Sequence, residues 1–192
     1  MQIDKETLLR TGIPRRYWGA ETDLVMPESG GVYLWGLVGR GKTHAACALA
    51  LRELANGTPM RDAQTGEVVA YRTPVTRFCT MVDAKDQLRD TFGTRQSAHD
   101  LRSVLFTCDL LILDDVGRED PKPWAQEFLW TIVDARYRSL KRTIVTSNYS
   151  RGELAGRIMA GSDATMANAI VSRLAEMTTP IHVEGPDRRI QQ

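Results

Sequence analysis

Residues 36–43 (GLVGRGKT) match the spacing G-x-x-x-x-G-K-T without a gap. Glycines in such a loop let backbone N–H groups turn inward around an anion, because they tolerate positive φ and carry no Cβ. A lysine at this position reaches the β and γ phosphates of a nucleoside triphosphate, and a threonine hydroxyl is a ligand for Mg²⁺. The pattern predicts a phosphate-binding loop, in which Lys42 contacts phosphate and Thr43 contacts the metal.

Two carboxylates, Asp114 and Asp115, directly follow the aliphatic run 110–113 (LLIL). This pattern is typical of a buried parallel strand at its carboxyl end, where open α/β sheets bind ligands. Beside a phosphate loop, we expect Asp114 to take an outer ligand position on Mg²⁺ and Asp115 to polarise a water for attack on the γ phosphate. Taken alone, the run also fits a core strand that ends in a solvated turn.

The elements around the phosphate loop are those that would position it. Residues 31–35 (GVYLW) predict a strand, and residues 44–56 predict a helix that stops at Gly57. Asn148 ends another predicted strand and would lie beside the phosphate if that strand neighbours the one ending at Asp114. The remaining predicted elements are strands at 77–82, 143–148 and 181–183, a hairpin or extended loop at 60–73, and helices at 5–10, 83–91, 124–140, 151–159 and 164–177.

Length and composition bound the class of protein. The 192 residues suit one α/β domain spanning 1–192, with a short extension, about 1–30, that either covers the sheet edge or lines the pocket for a nucleotide base. The net charge of +1, from 25 basic and 24 acidic residues, excludes a generally basic nucleic-acid coat. With no long apolar run and no signal-peptide pattern, we expect a cytoplasmic protein without a membrane partner. Three scattered cysteines favour buried thiols over metal ligands or disulfides.

Several motifs in combination resemble a known family. They are GLVGRGKTH, LLILDDVG, the pair Arg136-Tyr137 before TIVTSNY, and AIVSRL followed by a short strand and a Gly-x-Asp-Arg-like tail. Over about residues 12–189 the chain resembles the AAA+ ATPase domain of bacterial and phage replicative helicase loaders of the DnaC and DnaI type. That domain is closely related to the transposition helper ATPases of the IstB type. The resemblance implies a three-layer α/β P-loop fold with a parallel five-stranded sheet of order 5-1-4-3-2 and little or no helical lid.

The resemblance also implies roles for individual residues, with ATP and Mg²⁺ as cofactors. Thr43 and Asp114 would hold the metal, and Asp115 and Lys42 would be catalytic. Asn148 would be the sensor of the γ phosphate, and Arg173 an arginine finger acting on ATP bound to a neighbouring subunit of a homo-oligomer. Alternatively, Arg173 makes an intrachain salt bridge on its own helix. The expected nucleotide contacts are Gly36, Gly39, Arg40, Gly41, Lys42, Thr43 and His44.

The leading functional hypothesis is an ATPase that loads a ring-shaped replicative helicase on single-stranded DNA, in a phage or its host. An ATPase that regulates a DNA transposase is the alternative in the same fold. A small-molecule phosphotransferase would need a substrate lid with paired arginines, which the sequence does not show, and intact motifs disfavour a non-hydrolysing adaptor. The candidate DNA contacts are Arg89, Arg95 and Arg102, unless they form a solvated helical face.

Two features depart from the family pattern. Loaders usually carry an N-terminal helicase-binding domain, whereas some thirty residues precede the predicted nucleotide strand here. The segment 60–74 is also longer than the usual link between the phosphate-loop helix and the second strand of the sheet. The surface that contacts the helicase and the role of this segment therefore stay open.

Overall fold

The computed structural model describes residues 3–83, 103–118, 123–159 and 163–187. Strands and helices alternate along much of the chain, as predicted for an α/β domain. The strands are β1 (Gly31–Trp35), β2 (Thr58–Arg61), β3 (Val68–Arg72), β4 (Thr76–Thr80), β5 (Leu110–Val116), β6 (Arg142–Ser147) and β7 (Thr178–His182). The helices are α1 (Lys5–Thr11), α2 (Lys42–Asn56), α3 (Pro123–Arg138), α4 (Arg151–Met159) and α5 (Ala164–Met177), with a 3₁₀ turn at Arg15–Tyr17.

Five strands form one parallel sheet in the order β4-β5-β6-β1-β7. With the strands β2 and β3 left out of the numbering, this order reads 5-1-4-3-2 from the β7 edge, which confirms the predicted fold. Strands β5 and β1 are almost wholly buried, as near-continuous aliphatic runs require in a sheet covered on both faces. The carboxyl ends of β1, β5 and β6 meet at one edge, where ligands bind in open α/β sheets.

The sheet lies between two hydrophobic layers, because alternate side chains of each strand point to opposite faces. On one face, Tyr33, Leu113 and Val145 belong to a core that includes residues of α3, α4 and α5. On the other face, Val32 and Ile144 belong to a core built with α2 and the N-terminal segment. Burial of each leucine or isoleucine in these layers contributes about 1.5–3 kcal/mol. The two core layers, one on each face, thus support the carboxyl edge of the sheet.

Several element boundaries differ from the sequence prediction, and two of the differences have a clear structural cause. Strand β7 begins at Thr178, directly after α5, and not at residue 181; its polar first residues pair with β1 from Gly31 onward. Strand β4 ends at Thr80, and residues 81–83 are already helical. The Thr80 hydroxyl accepts the N–H of Asp83 at 2.9 Å, so Thr80 caps this helix. The rest of the helix predicted at 83–91 lies outside the described residues.

The segment between α2 and β4 folds as an antiparallel hairpin of β2 and β3. Every residue of β3 is exposed, so the hairpin stands off the sheet. At its base the Arg72 guanidinium donates two hydrogen bonds to the Asp109 carboxylate, at 2.6 and 2.9 Å, and Lys141 lies 3.3 Å from the same carboxylate. These cations hold the pKa of Asp109 well below its usual range, with the Arg72 bond as the largest cause. The hairpin is thereby fixed to the start of β5.

Arg136 on α3 is completely buried. Its guanidinium donates to the carbonyl oxygens of Leu105, Cys108 and Arg142 and to the Thr143 hydroxyl, at 2.6–3.1 Å. Desolvation lowers the pKa of Arg136, but these bonds keep its donors satisfied. One side chain thus joins α3, the start of β6 and the helical turn at 103–107.

Two helices in the C-terminal part of the chain begin with hydrogen-bonded caps. The Ser150 N–H donates to the Glu153 carboxylate, and the Glu153 N–H donates back to the Ser150 hydroxyl, which is a capping box at the start of α4. The Asp163 carboxylate accepts the N–H groups of Thr165 and Met166 at the start of α5. In the described ranges, no helix combines the length and the apolar character needed to cross a membrane.

All three cysteines of the chain, Cys47, Cys79 and Cys108, are buried thiols that form no disulfide. Burial raises the pKa of Cys47 to about 12 and also raises the pKa of Cys108. The thiols therefore act as small apolar groups of the core.

Candidate functional site

The loop 36–41 joins β1 to α2 at the carboxyl edge of the sheet, and α2 begins at Lys42. All three glycines of this loop have positive φ. Gly36 has φ 145°, and a Cβ there would lie 2.5 Å from the Val183 carbonyl oxygen. Gly41 has φ 87° and is the residue that caps α2. The loop therefore presents backbone N–H groups and the positive end of a helix at one place, which favours an anion.

Lys42 and Asn148 meet at this loop. The buried Lys42 ammonium donates to the carbonyl oxygens of Gly36 and Leu37, each at 2.9 Å, and to Asn148 Oδ1 at 2.8 Å. Asn148 follows β6, which pairs directly with β1 and β5, so the sheet order brings it here. The fold thus brings together, beside the loop, the two residues that the sequence predicts as phosphate contacts.

Asp114 lies beside the loop in the carboxyl-terminal half of β5, with only 5% of its surface exposed. Its Oδ2 accepts the Thr43 hydroxyl at 3.2 Å, and its Oδ1 accepts the Thr146 hydroxyl at 2.6 Å. Burial is the largest cause that raises the pKa of Asp114, and the neighbouring Asp115 charge adds to the rise. A buried carboxylate beside a hydroxyl is an oxygen donor set that fits a hard divalent cation such as Mg²⁺, whose charge would compensate that burial.

Asp115 has a backbone conformation that only a few non-glycine residues adopt, with φ 59°. The register of the β5–β6 pairing shifts between Leu113 and Val116, so Asp115 lies at an irregularity of the strand. Its N–H donates to the Thr146 hydroxyl at 2.9 Å, and its carboxylate accepts the Arg118 guanidinium at 2.9 Å. The carboxylate is therefore turned away from the regular strand direction and held at the site edge.

Two of these residues were absent from the sequence prediction. Thr146 is fully buried and bonds both Asp114 and Asp115, and its position two residues before Asn148 was the only available signal. Arg118 lies three residues after Asp115 in a charged stretch that gave no indication of this contact. Thr146 contacts both acidic residues and Arg118 contacts Asp115, and these contacts depend on the folded backbone.

Beside the loop lies a cleft of about 480 Å³, a size that suits a small ligand. Arg40 and His44 line the cleft together with residues 21–24 of the N-terminal segment and residues 181–184. The His44 Nε2 atom lies 3.1 Å from the Glu21 carbonyl oxygen, and the His44 ring meets the edge of Tyr17. The N-terminal segment therefore covers the sheet and also forms a wall of a cleft where a nucleotide base would fit.

Arg173 lies on α5 and packs against α3. Its Nε is 3.1 Å from the Asp134 carboxylate, and its guanidinium lies 4.3 Å from the centre of the Trp130 ring and 5.4 Å from that of Tyr137. About 28% of the side chain is exposed. The intrachain ion pair considered for Arg173 therefore exists in the single chain, although its partner is on another helix. The candidate DNA contacts Arg89, Arg95 and Arg102 lie outside the described residues.

The parallel sheet, the loop with Lys42, and the Asp114-Asp115 pair define a P-loop ATPase of the AAA+ type. The chain belongs to the family of IstB-like ATP binding proteins, whose sequence model matches residues 25–192. ATP is therefore the nucleotide of this site.

Similar proteins agree with this class. The chain is 26% identical over 164 residues to the replicative helicase loader DnaI of Bacillus subtilis (strain 168), covering 83% of this chain and 47% of DnaI. It thus spans about half the length of that relative. Among solved structures, a crystal structure of the DnaC helicase loader has a TM-score of 0.66 at 22% identity, over 89% of this chain and 100% of that one. A DnaI crystal structure has a TM-score of 0.61 at 22% identity, over 98% and 86%. At these identities the structures establish the shared fold.

Proposed function

We propose that this chain is an ATP-hydrolysing DNA-replication factor that loads a ring-shaped replicative helicase on single-stranded DNA. The observation that carries the proposal is the match over 83% of the chain to a replicative helicase loader. The positions of Lys42, Asn148 and Asp114 around one loop support it, because a loader that uses ATP needs a complete hydrolytic site.

Binding of ATP would rest on the loop and on Lys42. Backbone N–H groups of the loop would receive the phosphates, and the Lys42 ammonium would exchange its contacts with Gly36 and Leu37 for phosphate oxygens. Thr43 and Asp114 would hold Mg²⁺, which when bound neutralises charge on the phosphates. The cleft lined by Arg40 and His44 would take the adenine base.

Hydrolysis would depend on two side chains at the ends of β5 and β6. The Asp115 carboxylate would accept a proton from, or polarise, the attacking water, and it must leave the Arg118 contact or share it to do so. The Asn148 amide, already 2.8 Å from Lys42, would contact the γ phosphate and orient that water. Both groups would reach the reacting atoms from the carboxyl edge of the sheet.

Arg173 would complete the site of a neighbouring subunit. A guanidinium supplied in trans stabilises charge on the transferring phosphoryl group, typically by about 10³–10⁵ in rate. In the single chain this guanidinium pairs with Asp134 and stacks on Trp130. Arg173 would therefore have to exchange these contacts for the nucleotide of the neighbouring subunit. A homo-oligomer would therefore be the hydrolytically competent form.

Single-stranded DNA and the helicase are the proposed partners, with Arg89, Arg95 and Arg102 as candidate DNA contacts and a phage or its host as the setting. The chain as a single AAA+ domain over 1–192 would supply the ATP-dependent part of loading. The family also supports a second candidate, an ATPase that regulates a DNA transposase, since its model is named for IstB-like proteins.

One experiment separates the two candidates. Tagged full chain is mixed with host lysate and a non-hydrolysable ATP analogue, and Lys42→Ala serves as the matched control that lacks the phosphate contact. Mass spectrometry should find a ring helicase enriched with the wild type and not with Lys42→Ala. The purified helicase should then displace a DNA strand annealed to a closed single-stranded circle only when this chain and ATP are present. Enrichment of a transposase, or unwinding that is independent of the chain, would reject helicase loading.

A further inference from the structure

The last described residues, 183–187, run along the phosphate loop. The Val183 N–H donates to the Trp35 carbonyl oxygen at 2.8 Å, which continues the β1–β7 pairing to the start of the loop. The Val183 carbonyl oxygen then lies against Gly36, and Gly185 turns the chain with φ 129°. We call residues 183–187 the C-terminal strap.

The strap ends with a carboxylate on the phosphate loop. A Cβ built on Gly39 would overlap both oxygens of the Asp187 carboxylate, so this group lies directly on the Gly39 backbone. Gly39 has φ 83° and is one of the residues expected to contact nucleotide. The strap therefore touches the loop at both ends, through Val183 at Gly36 and through Asp187 at Gly39.

The contact between Asp187 and Gly39 places a carboxylate at the loop that would bind the phosphates of a nucleotide. A loop of inward-turned N–H groups before a helix attracts an anion, and the carboxylate is the anion that this chain supplies there. Phosphates bring further negative charge to the same loop. Because two anions a few Å apart repel each other, nucleotide and carboxylate cannot share this surface at low cost.

We propose that Asp187 is a further residue of the nucleotide site, whose carboxylate occupies part of the phosphate loop and is displaced when ATP or ADP binds. Asp187 thus lowers nucleotide affinity, and binding moves the C-terminal strap away from the loop. This inference rests on ATP binding by the loop and is independent of helicase loading.

The test measures nucleotide affinity of the full chain by calorimetry, with Mg-ATP analogue and with ADP. Asp187→Asn keeps the shape of the side chain and removes its charge, so it should bind both nucleotides about three- to tenfold more tightly. The gain should shrink at high salt, because ions screen the repulsion. Glu67→Gln removes the same charge from the exposed hairpin and should leave affinity unchanged. Equal or weaker binding by Asp187→Asn would overturn the proposal.

A second measurement follows the strap itself. Hydrogen exchange at the Val183 amide, which donates to the Trp35 carbonyl oxygen, should become faster when the ATP analogue binds to the wild type, because the strap leaves the loop. Slower exchange would mean that the strap closes over the nucleotide, which overturns displacement. If the wild type and Asp187→Asn both fail to bind nucleotide, the site assignment fails together with this inference. If only the affinity difference is missing, the inference fails alone.

Discussion

Thr146 donates its hydroxyl hydrogen to the Asp114 carboxylate at 2.6 Å. The same oxygen accepts the N–H of Asp115 at 2.9 Å, so one buried hydroxyl fixes both acidic residues of the site. The bond orients the Asp114 carboxylate toward Thr43 and supports the unusual backbone of Asp115. Thr146 is therefore a positioning residue for the metal ligand and for the residue expected to polarise water.

Replacement of Thr146 tests this role. Thr146→Val keeps the shape of the side chain and removes both hydrogen bonds, so ATPase turnover should fall about 10–100-fold. The Mg²⁺ concentration needed for half-maximal turnover should rise, with ATP affinity nearly unchanged. Thr146→Ser should restore turnover. Thr143→Val is the matched control, since Thr143 is a buried threonine of the same strand whose hydroxyl serves Arg136. It should lose about 1–3 kcal/mol of stability while turnover per folded molecule is kept. Equal loss of turnover in both variants would contradict a specific role.

Lys42→Ala should abolish nucleotide binding, because the phosphates lose their main side-chain cation. The same change removes a buried donor from the carbonyl oxygens of Gly36 and Leu37. Circular dichroism and thermal unfolding establish that the variant is folded, and calorimetry with an ATP analogue measures binding. Unchanged affinity in a folded variant would reject the phosphate-loop assignment.

Asp115→Asn should bind ATP like the wild type and hydrolyse it slowly, because an amide holds water but accepts its proton poorly. We expect turnover to fall by about 10²–10⁴. Single-turnover assays with saturating enzyme separate binding from chemistry. Arg118→Ala removes the competing contact and should retain turnover. Loss of ATP binding in Asp115→Asn would instead assign a structural role to this residue.

Arg173→Ala should bind ATP and hydrolyse it poorly, and mixing it with Lys42→Ala should restore part of the activity. In the mixture, a Lys42→Ala subunit can offer its Arg173 to the intact phosphate loop of an Arg173→Ala neighbour. Neither variant alone supplies both groups. Turnover of the wild type should rise more than linearly with concentration. Asp134→Asn is the control for the intrachain ion pair, because it releases Arg173 without removing it. Strictly proportional turnover without complementation, and equal loss of stability in Arg173→Ala and Asp134→Asn, would show that Arg173 is structural.

Stability should depend on pH through Asp109. The pKa of Asp109 is lowered in the folded state, chiefly by Arg72. Its contribution to stability is therefore present above pH 3.8, the ordinary pKa of an aspartate, and is lost as pH falls through the folded-state pKa. Asp109→Asn should therefore be less stable than the wild type at pH 7, by about 1 kcal/mol because the pair is partly screened. The difference should shrink below about pH 4. Urea unfolding across pH measures it, and a gap that grows toward low pH would be inconsistent with this origin.

The elements of this fold were predictable where the information is local. The run 110–113 is aliphatic throughout, and residues 36–43 carry their chemistry in consecutive positions, so strand, loop and helix followed from neighbouring residues. The order of the sheet came from the family resemblance and is confirmed. The start of β7 was missed because Thr178, Thr179 and Pro180 carry no apolar pattern, and only pairing with β1 makes them a strand.

The contacts that organise the site were less visible in the sequence. Thr146 and Arg118 gain their roles from the twisted backbone at Asp115, and Asp187 gains its role because β7 leads back to the loop. Arg136 was noted only as part of a motif, although the fold buries it among backbone carbonyls. Each of these depends on segments far apart in the chain, which hydrophobic periodicity does not encode.

The burial of all three native thiols makes the chain suitable for labelling at one chosen position. A thiol reacts as the thiolate, and the pKa values of Cys47 and Cys108 are raised by burial, so maleimide dyes should spare the folded wild type. A single cysteine introduced at the exposed turn residue Gln64 would then carry the dye. The hairpin holds that position away from the phosphate loop, so a fluorophore there can report assembly and partner binding without touching nucleotide.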